Sequence, residues 1–241
     1  MDSRLGRNAK DPTSDARGVL YKKDFWYTEN LHYSRPHPRM AKVARLANSL
    51  ACGGNCTLLD VGCGPATLAA LLQPNIDYYG VDIAIHGPAP NLLEVDLLEN
   101  PIGFDGRRFD IIVAQGFFEY VGKFQSQKFA EIASLLTESG TFIASYVNFG
   151  HWHPFTYRRY SNVQPFLKFR ACIEEHFSVD RIIPTSYNLR HRDSEGKLTE
   201  VLRLGTDVNV PIFGSFFAIQ YILLCGKHKD VGNIRLTRLM P

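Results

Sequence analysis

The chain has 241 residues, 45% of them apolar and 21% charged, with a formal net charge of +3. That length suits one α/β domain with a sizeable core, and no apolar run reaches the roughly 18 residues of a membrane span. The positive excess lies at the two ends, since residues 24–226 hold 17 basic against 20 acidic residues, which argues against a nucleic-acid groove.

Residues 1–19 are polar without apolar periodicity and read as a disordered tail. No apolar leader follows the charged start, so no secretory signal is expected. Asp24 to Tyr33 is rich in aromatics (Phe25, Trp26, Tyr27, Tyr33) and runs into Pro36, His37 and Pro38. From Arg39, apolar residues at Met40, Val43, Ala44, Ala47 and Leu50 give a helical spacing that Gly53-Gly54 ends.

Then an alternation begins. Strands are expected at Thr57–Val61, Asp77–Val81, Asn91–Val95, Phe109–Ala114, Thr141–Val147, Ser178–Ile183 and Phe216–Cys225. Helices are expected at Thr67–Leu72, Lys123–Thr137 and Asn162–His176, the second with Gly140 just past its end. Strands alternating with helices predict right-handed βαβ units and a mostly parallel sheet covered on both faces. Between Ile183 and Phe216 no long helix is legible. A strand, a charged excursion and another strand there read as an antiparallel hairpin closing the sheet.

The most informative stretch is Leu58-Leu59-Asp60-Val61-Gly62-Cys63-Gly64. An apolar strand delivers an acid and then a Gly-x-Gly turn, which lets a nucleotide-like ligand approach backbone with no Cβ in the way. A second acid, Asp82, ends the next strand 20 residues after Gly62, where a carboxylate can accept from both hydroxyls of a ribose. A third, Asp96, ends the strand after that and can accept from an exocyclic amine, with Leu97 beside it. The apolar strand Phe109–Ala114 ends in Gln115-Gly116-Phe117, at the carboxyl edge where open α/β sheets bind ligands. A nicotinamide oxidoreductase shares Gly62-x-Gly64-x-x-Thr67 and Asp82. Asp60, Thr67 in place of a third glycine, and the terminal strand pair speak against it.

Taken together, the Asp-x-Gly-x-Gly turn, the acids ending strands two and three, and the Phe109-Asp110…Gly116-x-x-Glu119-Tyr120-Val121 block resemble class I S-adenosylmethionine-dependent methyltransferases of the small-molecule type. The resemblance spans about residues 55–150 and the strand Phe216–Lys227. It implies a Rossmann-like, seven-stranded, mostly parallel sheet with an antiparallel terminal strand lying between two parallel ones. It further implies methyl transfer to a small-molecule acceptor at oxygen or nitrogen, with S-adenosyl-L-methionine as cofactor. The cofactor set is Asp60, Gly62, Gly64, Asp82, Ile83, Asp96, Leu97, Gln115 and Tyr33. Asp60 and the glycines belong near the methionine part, Asp82 on the ribose, and Asp96 with Leu97 at the adenine. Many relatives carry Glu-His-Val where this chain has Glu119-Tyr120-Val121. A non-catalytic binding protein therefore stays open as an alternative.

For the chemistry, His151 and His153 are candidate bases at neutral pH, and Tyr120 can orient an acceptor through its hydroxyl. The N-terminal aromatics suit a cationic sulfur, and Arg39 can meet the methionine carboxylate as a fork donor. No metal is expected, because Gln115 and Asn148 stand where a hard cation needs acids. The domain plan is a tail at 1–19, one methyltransferase domain over 20–228, and a tail at 229–241. Within the domain lie a lid (20–50), a cofactor half (55–150) and acceptor-cap segments (149–165 and 187–213). Five scattered cysteines without zinc-like pairs (Cys52, Cys56, Cys63, Cys172, Cys225) point to a reducing, cytoplasmic setting. The expected partner is a small-molecule acceptor, with no nucleic acid and no membrane, and a homodimer is left open.

Overall fold

The computed structural model describes residues 38–85, 90–104, 106–148, 163–192, 198–204 and 218–228, with backbone course only over 186–192 and 198–204. In chain order these form α1 (Pro38–Leu50), β1 (Cys56–Val61), β2 (Ile76–Asp82), β3 (Leu92–Glu94) and β4 (Phe109–Gln115). There follow α2 (Phe118–Val121), α3 (Gln125–Leu135), β5 (Leu136–Val147), α4 (Phe166–Glu174), β6 (Phe177–Arg192), β7 (Leu198–Leu204) and β8 (Ala218–Lys227).

Among the described residues eight strands make one sheet, in the order β3-β2-β1-β4-β5-β8-β6-β7. The pairs β3–β2, β2–β1, β1–β4 and β4–β5 are parallel. Strand β8 runs antiparallel to both β5 and β6, so it lies between two strands that share a direction. The seven-stranded, mostly parallel sheet implied by the motifs is therefore present. An eighth strand, β7, extends it by pairing antiparallel with the far half of β6. The charged stretch after Ile183 is thus itself part of a hairpin, and β8 is an interior strand.

Side chains alternate across the sheet with the two-residue period of extended backbone. On one face Leu58, Ile111, Val113 and Ile143 cluster with Val43, Ala44 and Ala47 of α1. On the other, Leu59, Ile112, Ala114 and Phe142 cluster with Phe129 and Ile132 of α3 and Phe169 and Ile173 of α4. Continuing the alternation, Asp60 and Gln115 belong to the α1 face. A buried Lys128 ties α3 to the loop after β3, its Nζ donating to Glu131 Oε2 at 2.7 Å and to Asn100 O at 2.8 Å.

Two expected helices change character. The segment after the glycine turn is a chain of tight i→i−3 bonds ending in a 3-10 turn over Ala69–Leu71. The cause is local: Ala66, immediately before the expected helix, sits at φ +54°, outside the right-handed helical region. The helix expected to end before Gly140 stops at Leu135, and Leu136–Val147 is one strand with Gly140 inside it.

The α3/α4 side of the core is built on aromatic contacts. Phe129 stacks on Phe118 with ring centroids 4.3 Å apart and meets Phe142, Phe169 and Phe177 edge-on, while fully buried. Phe129→Ala leaves a void that four neighbouring rings cannot collapse to fill. The variant is expected to lose about 3–5 kcal/mol of stability, measured by urea unfolding.

Candidate functional site

The carboxyl ends of β1, β2, β3 and β4 share one rim of the sheet. Register puts Val61 beside Val81, Asp82 beside Glu94, and Gln115 beside Ser145. The strand order reverses between β1 and β4, and there the chain makes its Gly-x-Gly turn, the position at which open α/β sheets form a crevice. The amides of Gly62 and Cys63 both donate to Val81 O, at 2.8 and 3.2 Å, which folds the turn back toward β2. Gly62 at φ +76° and Gly64 at φ +54° adopt backbone that side chains disfavour. At Gly62 a Cβ would press on Phe117 at 3.2 Å. At Gly64 it would meet nothing within 4 Å, so that face of the turn is open for close approach.

Asp82 is bound directly to this turn. Its Oδ2 accepts from the Gly64 amide at 2.8 Å and its Oδ1 from the Ala84 amide at 3.2 Å. Asp60 lies beneath, 3% exposed, its Oδ2 accepting from the Tyr78 hydroxyl at 2.9 Å. Burial, opposed by that hydrogen bond and aided by the negative charge of Asp82, pushes the Asp60 carboxyl up to about 7. Cys63 is buried next to the pair, and the same burial and the same two carboxylates raise its thiol far above its ordinary value.

On the β4 side, the Gly116 amide donates to Ser145 Oγ at 3.0 Å. The Arg39 guanidinium, arriving from the start of α1, lies so close that a Cβ on Gly116 would be 3.2 Å from its Nη2. Gln115 Oε1 and Glu119 Oε2 are buried without hydrogen-bond partners. Burial pushes the Glu119 carboxyl up to about 7 against the pull of Arg39 and of hydrogen bonds from its own N–H and that of Val147.

The rim thus brings together Asp60, Gly62, Gly64, Asp82 and Gln115. Ile83 is close by, buried with Ala84 against Leu98 and Tyr120. Tyr120 therefore packs next to the residues that follow Asp82, on the β2 side of the rim. Asp96 closes the turn after β3: its Oδ1 accepts from the Leu98 amide at 3.0 Å and its carbonyl from the Asn100 amide at 2.9 Å. Leu97 is 2% exposed and belongs to the core cluster with Val81 and Phe117. Tyr33, His151 and His153 lie outside the described residues. Sequence reasoning passed over Glu119 as a site residue, although a lone acid between Phe118 and Tyr120 in an apolar stretch was the available signal. Tyr78 and Ser145, which hold Asp60 and Gly116, carried no signal of their own.

The 3-10 turn after Gly64 has a chemical consequence. A dinucleotide needs the N-terminus of a long helix for its pyrophosphate, and the segment after this turn does not form one.

A family model described as a methyltransferase domain matches residues 30–181. Among solved structures, the YcgJ protein from Bacillus subtilis resembles this chain with a TM-score of 0.55 at 11% identity, over 80% of this chain and 100% of that one. A TehB-like SAM-dependent methyltransferase from Corynebacterium glutamicum gives 0.51 at 14%, over 83% and 93%. The N-methyltransferase NodS from Bradyrhizobium japonicum gives 0.51 at 12%, over 79% and 95%. At these identities the structures speak for the fold alone. No curated protein matches the chain.

The two buried acids make stability depend on pH. An acid whose folded-state pKa is raised keeps its proton when the unfolded chain has lost it, so stability falls as pH rises from about 4 to about 7 and then levels. For Asp60 the rise from 3.8 to about 7 caps this loss at about 4 kcal/mol. Asp60→Asn cannot ionise and removes that share of the slope. Urea unfolding at about pH 4.5 and about pH 7.5 is expected to give a smaller difference for the variant than for the wild type.

Proposed function

Because the chain belongs to the methyltransferase-domain family, whose cofactor is S-adenosylmethionine, we propose that it methylates a small-molecule acceptor at oxygen or nitrogen. The observation that carries this reading is the bond between Asp82 and the Gly64 amide. It joins the acid expected on the ribose to the open face of the glycine turn, so that one ligand can touch both.

The rim residues fit the cofactor in kind. The Asp82 carboxylate accepts the Gly64 and Ala84 amides and stands at the open face of the turn, where a carboxylate can accept from a ribose hydroxyl. Arg39 offers a planar fork beside Gly116 suited to the carboxylate of the methionine part. The orphaned acceptors of Gln115 and Glu119 nearby call for N–H donors. Asp96 and Leu97 take the adenine end in this reading, with Ile83 and Tyr120 as the wall between base and ribose. Tyr33 joins the cofactor set from the N-terminal side.

The bound cofactor supplies a methyl group on a sulfonium sulfur, whose departure needs no acid. What remains for the protein is alignment of the acceptor in a dry cleft, an effect that reaches roughly 7–11 kcal/mol. His151 or His153 takes the proton of an acceptor hydroxyl or amine that must lose one first. Tyr120 orients ligand groups through its hydroxyl, close to Ile83.

Two measurements test this. Metabolite extracts incubated with the protein and methyl-labelled S-adenosylmethionine are expected to yield a small molecule heavier by one labelled methyl in mass spectrometry. Asp82→Ala is expected to lose measurable cofactor binding by calorimetry. It also strands the Gly64 and Ala84 amides at a cost of about 1–3 kcal/mol, and wild-type affinity in this variant would overturn the ribose assignment.

A further inference from the structure

On the α1 face of the sheet, Val113, Ile143, Ile222 and Ile183 stand on four adjacent strands, β4, β5, β8 and β6, and all four belong to the core cluster that α1 covers. Two residues nearer the carboxyl rim the same face changes character. By alternation the next side chains there are Gln115 on β4, Ser145 on β5, Gln220 on β8 and Thr185 on β6, each polar and uncharged. Gln115 pairs with Ser145, and further out Thr185 stands directly opposite Gln220. Ser145 has a task on the β4 side, where its Oγ accepts from the Gly116 amide at 3.0 Å. Thr185 has none. It is 0% exposed, and its Oγ1 has no hydrogen-bond partner. Of the buried polar side chains among the described residues, it is the one that makes no hydrogen bond, since Asp60, Glu119, Gln125, Lys128 and Ser145 each make at least one.

A buried hydroxyl without a partner destabilises the strand that carries it, and valine offers the same shape without that cost. A threonine here therefore calls for a ligand group to bond it. Strand β6 lies three strands from β4, about 14 Å along the rim, beyond a cofactor that in the reading above reaches from β3 to β4. Gln220 is only half-buried, so the Thr185–Gln220 pair runs from the surface into the interior. The hydroxyl and the side-chain amide can each donate and accept. They satisfy a neutral polar group, whereas neither compensates the desolvation of an ion.

We propose that Thr185 and Gln220 determine acceptor specificity by binding an uncharged hydroxyl, carbonyl or amide group at the end of the acceptor remote from the methylated atom. This deepens the methyl-transfer reading above and rests on it. The acceptor is then a molecule with two polar ends, a nucleophilic oxygen or nitrogen at the cofactor and a neutral polar group over β8 and β6.

The test is Thr185→Val, which keeps the shape and removes the hydroxyl, read three ways. Thermal unfolding of the ligand-free variant is expected to show a melting temperature higher by about 2–4 °C, because an unpartnered buried hydroxyl is gone. Calorimetry with S-adenosylmethionine is expected to give wild-type affinity. The third readout uses metabolite extract and methyl-labelled S-adenosylmethionine over a dilution series of the extract. In dilute extract the initial rate of labelled product falls about five- to tenfold, and in concentrated extract it recovers, the pattern of lost acceptor binding with the transfer step intact. The labelled product itself carries a hydroxyl, carbonyl or amide remote from the new methyl group. Gln220→Leu, at the half-buried position, is expected to show the same loss in dilute extract with cofactor affinity kept, and decides the matter should Thr185→Val fail to fold. A lower melting temperature overturns the inference, since the hydroxyl then serves the fold. An unchanged rate in dilute extract overturns it too, as does weakened cofactor binding or a labelled product whose only polar atom is the methylated one. If the wild type yields no labelled product, the methyl-transfer reading fails and takes this inference with it, a failure seen before any variant is made.

Discussion

The hydrogen bond from the Gly64 amide to Asp82 Oδ2 governs the geometry of the rim. Two strands of a parallel sheet end side by side, and their last residues would ordinarily diverge into separate loops. Here the acid at the tip of β2 reaches across and captures the turn that leaves β1. The amides of Gly62 and Cys63, which donate to Val81 O, tie the same turn to the same strand. Three successive amides are thus held against the tip of β2, which fixes the turn and its open face at Gly64. A fixed backbone concavity costs a ligand little reorganisation, which is what preorganised recognition requires. It also explains why a short 3-10 turn suffices after it. The cofactor of this family has no phosphate, and so lacks the group that a helix N-terminus is best suited to bind.

Beneath that surface the protein accepts an electrostatic cost. Asp60 and Glu119 are both held out of water, and burial carries each carboxyl up to about 7. Neither sits in a full salt bridge of the kind Lys128 makes with Glu131. Apolar residues of equal size would stabilise the sheet better at both positions, because desolvating an acid is expensive. Their presence at the strand ends, and the absence of buried acids from the rest of the described core, ties the cost to the rim. The two acids also divide the rim between them. Asp60 sits under the glycine turn, held by Tyr78, and Glu119 sits under the β4 tip beside Arg39.

The strands were legible because their apolar runs are long and their ends are marked by Asp82, Asp96 and Gln115. Five of the seven expected strand cores agree with the structure to within two residues at each end. Thr141–Val147 and Ser178–Ile183 proved to be parts of longer strands. The misreadings share a cause, which is that periodicity ignores backbone geometry and pairing partners. Leu68 to Leu72 looks helical by composition, yet Ala66 at φ +54° redirects the chain before a helix can start. Arg190 to Lys197 looks like a charged loop, yet Arg190 and His191 pair with Glu200 and Thr199 across a hairpin, which only a partner strand could reveal. At the site, the cofactor half was readable since glycines and strand-end acids follow spacing. Glu119 was quoted within a motif and passed over, because what sets it apart is its burial at the tip of β4, which spacing along the chain does not reveal.

The rim has a patterned half and an unpatterned half, and the physical reason is the difference between the two ligands. An adenosyl cofactor presents the same ribose and amino acid to every protein that binds it, so acids and glycines at fixed places serve it. An acceptor has no such constant part, and the residues facing it need only complement one molecule. The segment expected to do so, 149–165, is flanked by residues that are firmly held, and its described end at 163–165 is held as well. Asn148 donates from its backbone amide to Ile219 O at 2.7 Å and from its side chain to Ala218 O at 2.8 Å. At the other end the Gln164 amide donates to the Tyr146 hydroxyl at 2.8 Å, and that hydroxyl donates to Gln164 O at 3.1 Å. Tyr146 in turn stacks on Phe169 at 3.8 Å, so the return point is anchored to α4 and the core. Fixed stems at both ends let the sequence between them vary without disturbing the sheet. Tyr146 also lies within the electrostatic reach of Glu119. The β5 tip thus ties the return of that segment to the same corner of the fold that holds the buried Glu119.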